Sequence, residues 1–345
     1  MSAADLTRPA EHGGDLERAS ARFGNPKDGW LDLSSGINPH SYPVEQIPGE
    51  IWQTLPSARA QTHLCEVAKL AFGVPQKAAL IAAPGAQAII SLLPRLVEPR
   101  RRVAVVSPTY SEHSRSWAIA GHDVREVPNL PAAGDLHIAI VCNPDTPTGR
   151  LFDNNELLAL ADDLGVRGGT LIVDEAYVDA QPANSLAQDA PHPALIVIRS
   201  FGKFYGLPGV RLGFAFGARR LMAKLEAALG PWPVSGPAIA IGATALGDRD
   251  WTKDMRRQVI DEAHRLDGLL ILHGLKVMGG TPLFRLATIA NARHVHEGLA
   301  RLGIWTRAYS FAPQWLRFGL PGSDAELARL DRAMSALANL SPTQA

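Results

Sequence analysis

The sequence predicts an α/β protein with a mainly parallel central sheet in a large domain, accompanied by a smaller α+β domain. From residue 61 onward, short apolar runs alternate with stretches of helical spacing, the order that builds a parallel sheet covered by helices. The apolar runs are continuous rather than alternating, as strands buried on both faces require. The texture changes at GPWPVSGPA, after which come one long helical pattern and short strand–helix pieces. With 345 residues the chain is long enough for more than one core.

Taken in order, QTHLCEVAKLAFG places Leu64, Val67, Ala68 and Ala71 on one helical face. ALIAA is a strand ending at Pro84-Gly85, and AQAIISLLPRLV a helix. RRVAVVSP is a strand, SEHSRSWAIAG a helix closed by Gly121, and HDVREVP another strand. LHIAIVCNP, TLIVDEAY, ALIVIRS and RLGFAFG complete the set of strands, with NNELLALADDLG as the helix between the first two. A long helix follows from Trp251 to His273, then strands at FRLATI and WLRFGL. The expected large domain spans 44–240, and the small one combines 1–43 with 241–345.

Lys plus Arg equal Asp plus Glu at 34 each, so the chain has no basic footprint for nucleic acid. MSAADLTRPAEHGG has no apolar core of a secretory signal, and no apolar run approaches the ~20 residues of a membrane span. Cys65 and Cys142 form no C-x-x-C and read as reduced, buried thiols. A cytoplasmic protein without membrane or nucleic-acid partners is expected.

Ligands of such sheets collect where strands end and helices begin. In PGAQAII, Pro84 to Ile90, a glycine turn opens a helix whose N–H groups suit an anion; a plain turn fits equally. No G-x-G-x-x-G or P-loop motif stands at a suitable strand end, so the nucleotide readings lose their warrant. Tyr110 ends SPTY, where it either stacks on a flat ligand or caps the core. Asn143 opens CNPDTPTG, aimed into the crevice or bonded to its own turn. In VDEAY, Asp174 ends a buried run and needs a partner, either a metal or the protonated nitrogen of a heterocycle. An exposed turn carboxylate suits Glu175. No metal is expected, because no cluster with ligand spacing accompanies the carboxylates; His63, His113, His122, His264, His294 and His296 receive no role.

Lys203 lies in RSFGKFYGLPGVRLG between Gly202 and Gly206, on irregular backbone where desolvation favours the neutral amine that bonds an aldehyde. Ser200 and Arg211 suit a phosphate. Each has an ordinary surface alternative. Together, phosphate ligands (Gly85, Ala86, Gln87, Ser200, Arg211), a stacking ring, a polar pair for a phenolic oxygen, a carboxylate and an amine describe pyridoxal 5′-phosphate.

In their order, PGAQ, PTY, CNPDTPTG, DEAY, SFGKFYGLPGVRLG and WLRFG resemble the fold-type I pyridoxal-phosphate enzymes of the aminotransferase superfamily, over nearly the whole chain. The resemblance is strongest to the histidinol-phosphate aminotransferase branch. HGGD, His12 to Asp15, and LDLSSGINPHSYP, Leu31 to Pro43, resemble the threonine-phosphate decarboxylases of cobalamin biosynthesis. The resemblance implies an aspartate aminotransferase-like large domain in which Lys203 bonds the cofactor aldehyde and Asp174 pairs with the ring nitrogen. It gives Tyr110 the stacking position, Asn143 and Tyr177 the phenolic oxygen, and Gly85, Ala86, Gln87, Ser200 and Arg211 the phosphate. Arg317, in WLRFG, matches the arginine that meets the substrate carboxylate, and Arg307, in WTRAYS, a second anion-binding arginine; for Arg307 a surface salt bridge stays open. His12, Gly13 and Gly14 are implied for a substrate phosphate, with Asn38 and Tyr42 as weaker members of the same group, against the alternative of a leader with a turn. A homodimer is also implied. Leu55 stands where related aminotransferases carry a tyrosine that reaches the neighbouring subunit's cofactor phosphate, which argues against that contact and against an ordinary aminotransferase.

The implied reaction is decarboxylation of O-phospho-L-threonine to (R)-1-amino-2-propanol O-phosphate and CO2. The alternatives are an aminotransferase of the histidinol-phosphate type and a non-catalytic pyridoxal-phosphate-binding module. The first two differ by one rotation about N–Cα, which decides whether the carboxylate or the hydrogen is held perpendicular to the ring. Residue identities do not show that angle.

Overall fold

The computed structural model describes residues 13–339. Two compact units are present among the described residues: 41–146 with 150–254, and 13–40 with 147–149 and 255–339. The first strand, β1 (Leu31–Asp32), belongs to the second unit.

The first unit is built on a seven-stranded sheet. Its strands are β2 (Ala79–Ala83), β3 (Arg102–Val106), β4 (Asp123–Val127), β5 (Ile138–Cys142), β6 (Thr170–Asp174), β7 (Leu195–Ser200) and β8 (Gly213–Gly217). They lie in the order β2-β8-β7-β6-β5-β3-β4. Strand β8 runs antiparallel to both neighbours, and every other pairing is parallel. The sheet is therefore mainly parallel, as the apolar runs predict. Every residue of β5 and β8 is buried. Strand β4 departs from the expectation of a fully apolar strand: Asp123, Arg125 and Glu126 are exposed, because an edge strand has one neighbour and its charges discourage further pairing. Ile89, Val105, Trp117, Ile140, Ile172 and Ile198 share one core, so the helices at Ala86–Leu92 and Glu112–Ile119 are fixed against the sheet by apolar burial.

The second unit carries β9 (Lys276–Thr281), β10 (Phe284–Thr288), β11 (Ile304–Trp305), β12 (Arg307–Tyr309) and β13 (Ala312–Gly319). Four of these form an antiparallel sheet in the order β12-β13-β10-β9, while β1 pairs in parallel with β11. Phe284, Leu286, Leu316 and Phe318 are its buried apolar side chains. Gly319 N–H donates to the Leu33 carbonyl at 2.7 Å and Leu33 N–H to Trp305 O at 2.7 Å, so the N-terminal segment is stitched into this unit by backbone hydrogen bonds. The predicted long helix is present at Arg249–Leu272.

The sheet topology of the first unit has one functional consequence. Parallel strands β3, β5, β6 and β7 finish at the same edge, and two antiparallel steps bring the end of β2 there as well. Gly85, Tyr110, Asn143, Asp174 and Ser200 all follow or end these strands.

Candidate active site

Asp174 ends β6, is 5% exposed and is held from two sides. Its Oδ1 accepts from Ala176 N–H at 3.0 Å, and its Oδ2 lies 2.8 Å from Nε2 of His113, itself 1% exposed. A buried carboxylate without such partners would be costly. His113, which the sequence reading left without a role, is the partner. It sits three residues beyond Tyr110 on the helix Glu112–Ile119, and that i, i+3 offset on SPTYSEH is the signal that could have found it. The rings of Tyr110 and His113 meet edge-on at 6.1 Å. Cys142, at the end of β5, completes a buried group whose ligand atoms lie within 4.8 Å of those of His113 and Asp174. Ligand spacing could not reveal this group because each member comes from a different element. Burial pushes the Cys142 thiol well above its ordinary range, so it is not a ready thiolate.

Tyr110 is half-buried, and burial followed by the nearby Glu112 and Asp174 charges pushes its phenol far up. The phenol donates to Gln87 Oε1 at 3.0 Å, and Gln87 Nε2 donates to Ser91 Oγ at 3.1 Å. Gly85 precedes Ala86 with φ +85, a conformation side chains avoid. A Cβ there would stand 2.7 Å from Arg211 Nη2, so the glycine leaves room for the guanidinium beside the first turn of the helix. Gly213 makes a second close approach, because a Cβ on it would lie 2.3 Å from Ala86 N. Gly85, Ala86 and Arg211 are thus brought together at the start of the helix Ala86–Leu92.

Asn143 is fully buried, and its amide spans the Phe152 backbone: Oδ1 accepts from Phe152 N–H at 2.9 Å and Nδ2 donates to Phe152 O at 3.4 Å. This is the local bonding the turn reading allowed, and it leaves the second Nδ2 hydrogen to be placed elsewhere. Lys203 stands in the short helix Phe201–Phe204 directly after β7 and is half-buried. Its Nζ lies 5.4 Å from the ring centroid of Tyr177, which is 5% exposed. Ser200 closes β7 itself.

Glu175 corrects an expectation. It is fully buried rather than an exposed turn carboxylate, because Arg199, Ser185 Oγ and the Leu186 N–H all turn toward it.

In the second unit, Arg317 is 7% exposed and donates through Nη2 to Ser34 O at 2.6 Å. Arg307 and Arg317 are direct cross-strand partners on β12 and β13, which puts both side chains on one face. A Cβ on Gly13 would lie 2.2 Å from the Ser34 carbonyl oxygen, and Gly14 N–H donates to Ser34 Oγ at 2.7 Å. The Gly13–Gly14 turn and Arg317 therefore converge on one residue, Ser34. His12 lies outside the described residues. Asn38 is 1% exposed, and its Oδ1 accepts from His40 N–H at 3.0 Å. Tyr42, in the first unit, gives its hydroxyl to Asp248 at 3.1 Å and packs edge-on against Trp251 at 5.1 Å, so its role there is structural. Leu55 is 69% exposed. Among the described residues, no helix is long and apolar enough to cross a membrane.

Residues 45–337 match the family of aminotransferases of class I and II. The chain is 43% identical over 329 residues to a threonine-phosphate decarboxylase of Pseudomonas aeruginosa, covering 94% of this chain and 97% of that one. It is 39% identical to a threonine-phosphate decarboxylase of a Sinorhizobium species, covering 96% and 99%. Among solved structures, the histidinol-phosphate aminotransferase of Sinorhizobium meliloti, in complex with pyridoxal-5'-phosphate, superposes with a TM-score of 0.78 at 20% identity, covering 99% of this chain and 98% of that one. The histidinol-phosphate aminotransferase of Clostridium acetobutylicum gives 0.78 at 21%, covering 90% and 99%. At those identities the two structures speak for the fold. The matched span, the mainly parallel sheet and the relatives aligned along nearly their full length make this chain a member of the class I and II aminotransferase family.

Proposed function

We propose that this protein decarboxylates O-phospho-L-threonine to (R)-1-amino-2-propanol O-phosphate and CO2, using pyridoxal 5′-phosphate. The observation that carries the reading is the 43% identity to a threonine-phosphate decarboxylase along 94% of this chain. Formation of this product places the reaction in cobalamin biosynthesis.

The residues fit the cofactor. Gly85 leaves open the space beside Arg211 that a Cβ would fill, a cradle for a phosphate. Asp174 offers a buried carboxylate already oriented by His113 and Ala176. Lys203 offers an amine, Ser200 and the Ala86–Gln87 turn offer further phosphate donors, Tyr110 a stacking ring, and Asn143 and Tyr177 the donors for the phenolic oxygen. When bound, pyridoxal phosphate supplies the electron sink for the pair left behind when a bond at the substrate Cα breaks.

The protein's own part is to choose the bond and manage the protons. With the cofactor bound, the Asp174 carboxylate would keep a proton on the ring nitrogen. Arg317 binds the substrate carboxylate and Arg307 a second anion, while Gly13 and Gly14, with His12 and Asn38, take the side-chain phosphate. Fixing the phosphate and the carboxylate at separate points would set the rotation about N–Cα, the angle that chooses between loss of the carboxylate and loss of the hydrogen. Lys203 Nζ is the group that returns a proton to Cα. The same reading makes the protein a cytoplasmic homodimer. Trp52, Leu55 and Trp232 are exposed large apolar side chains, which supports a second copy that covers them.

The test is a product assay on protein loaded with pyridoxal phosphate and given O-phospho-L-threonine without any oxo acid. CO2 and amine phosphate are expected in equal amounts, and Lys203→Ala is expected to abolish both. Absence of CO2 together with amino transfer from histidinol phosphate to 2-oxoglutarate would overturn the reading in favour of an aminotransferase.

A further inference from the structure

The segment that carries Tyr177 is poorly held by its own backbone. After β6 the chain makes three short 3-10 turns, at Val178–Ala180, Pro182–Asn184 and Ala187–Asp189. The backbone hydrogen bonds of Val178, Gln181, Asn184, Ser185, Asp189 and Ala190 all reach carbonyls three residues back, so they shape the turns without anchoring them. Beyond the bond from Glu175 N–H to Ile198 O at 2.9 Å and that from Asn154 Nδ2 to Ser185 O at 3.4 Å, the polar anchoring centres on one side chain. Arg199, 2% exposed on β7, donates through Nε to Glu175 Oε2 at 3.0 Å, through Nη1 to Asp179 Oδ1, and through Nη2 to Ser185 Oγ at 2.8 Å. Ser185 Oγ in turn donates to Glu175 Oε2 at 2.7 Å, and Glu175 Oε1 accepts from Leu186 N–H at 2.6 Å. The guanidinium also covers the Phe72 ring, 4.8 Å from its centroid.

The arrangement is an expensive way to fill space. Leu195, Ile196, Val197 and Ile198 on the same strand are buried and apolar, and an apolar residue at 199 would avoid burying one cation with two carboxylates. What the ion cluster supplies is direction. Glu175 follows Asp174, Asp179 comes two residues after Tyr177, and Arg199 itself immediately precedes Ser200 on the strand that leads to Lys203. A single planar fork therefore ties both flanks of Tyr177 to the strand that delivers the serine and the lysine.

We infer that Arg199 is a positioning residue, acting through Glu175 and Asp179 to hold Asp174 and Tyr177 in register with Ser200 and Lys203 for the cofactor. This rests on the pyridoxal-phosphate reading given above, and binding of the cofactor by the unaltered protein is the control that separates the two: if that binding fails, the reading fails first.

The test compares Asp179→Ala and Arg199→Lys with the unaltered chain. Asp179→Ala removes one of two buried carboxylates and leaves the Arg199–Glu175 pair, one cation with one carboxylate. Arg199→Lys keeps the charge but cannot bridge several acceptors. Pyridoxal-phosphate affinity is read by fluorescence quenching, along with the position of the visible band of the loaded protein, the melting temperature of the cofactor-free protein, and kcat and KM separately. Both variants are expected to bind the cofactor roughly tenfold more weakly, the worth of one oriented charged hydrogen bond, with a shifted visible band and a kcat that falls while KM holds. Asp179→Ala is expected to do so without a lower melting temperature. Unaltered affinity and band in both variants would overturn the inference. So would losses that merely follow a fall in the melting temperature of both, since that is how a brace with no bearing on the site behaves.

Discussion

His113 Nε2 and Asp174 Oδ2 lie 2.8 Å apart, one on the helix after β3 and the other at the end of β6, and both are buried. The imidazole holds one carboxylate oxygen while Ala176 N–H holds the other, which leaves the carboxylate a fixed plane. If Asp174 meets the cofactor ring nitrogen as proposed above, that plane sets the geometry of the meeting.

Removing the imidazole tests this. His113→Ala should lower kcat by about ten- to a hundredfold, the range for losing a hydrogen bond to a charged group, and should weaken pyridoxal-phosphate binding alongside it. His113→Gln, which retains a donor, should recover part of the loss. Steady-state kinetics and a cofactor titration on both variants check it, and equal, wild-type values would remove His113 from the site.

Gly85→Ala puts a methyl group where φ is +85 and where Arg211 Nη2 stands 2.7 Å away. The strained backbone costs on the order of 1–3 kcal/mol and the guanidinium must move off the helix start. Cofactor affinity should fall at least roughly tenfold by fluorescence titration. Added inorganic phosphate should compete less well in the variant, because both anions use the same cradle.

Arg307 and Arg317 face each other across β12 and β13, and like charges in that position repel. Arg307→Ala should therefore leave the melting temperature unchanged or slightly higher, by a few tenths of a kcal/mol. The KM for a dianionic substrate should rise roughly tenfold. A fall in melting temperature with unchanged KM would make Arg307 a structural residue.

His296 gives a pH dependence that has nothing to do with catalysis. It is 8% exposed, stands at 4.6 Å from the Trp305 ring and bonds Thr306 Oγ1 through Nδ1 at 2.9 Å. Burial, first among the causes, lowers its pKa to about 4. Below about pH 6.5 the unfolded chain takes up a proton that the folded chain refuses, so stability present above that pH is lost as the pH falls toward 4. The loss should reach about 2 kcal/mol by pH 5, seen as a lower urea midpoint, and His296→Gln should flatten it.

Much of this protein can be read from its residues alone. Continuous apolar runs such as IAIVC and LIVI, in alternation with helical stretches, read as strands buried on both faces, so the sheet and the strand-end placement of Asn143, Asp174 and Ser200 follow from local pattern. The spaced motifs around Gly85, Tyr110 and Lys203 identify a family because the chain order of strands is also the order of the site's parts.

Tertiary structure decided the rest. His113 becomes the partner of Asp174, and Arg199 that of Glu175, only when β3, β5, β6 and β7 are assembled into one sheet. Glu175 looks like a surface carboxylate in VDEAY because sequence shows its neighbours in the chain and not Arg199 on the next strand. The like-charged pair Arg307 and Arg317 exists only in the register of one hairpin. Pattern and propensity act over a few residues and are legible in one dimension; burial, charge pairing and register are set by residues that only folding brings together.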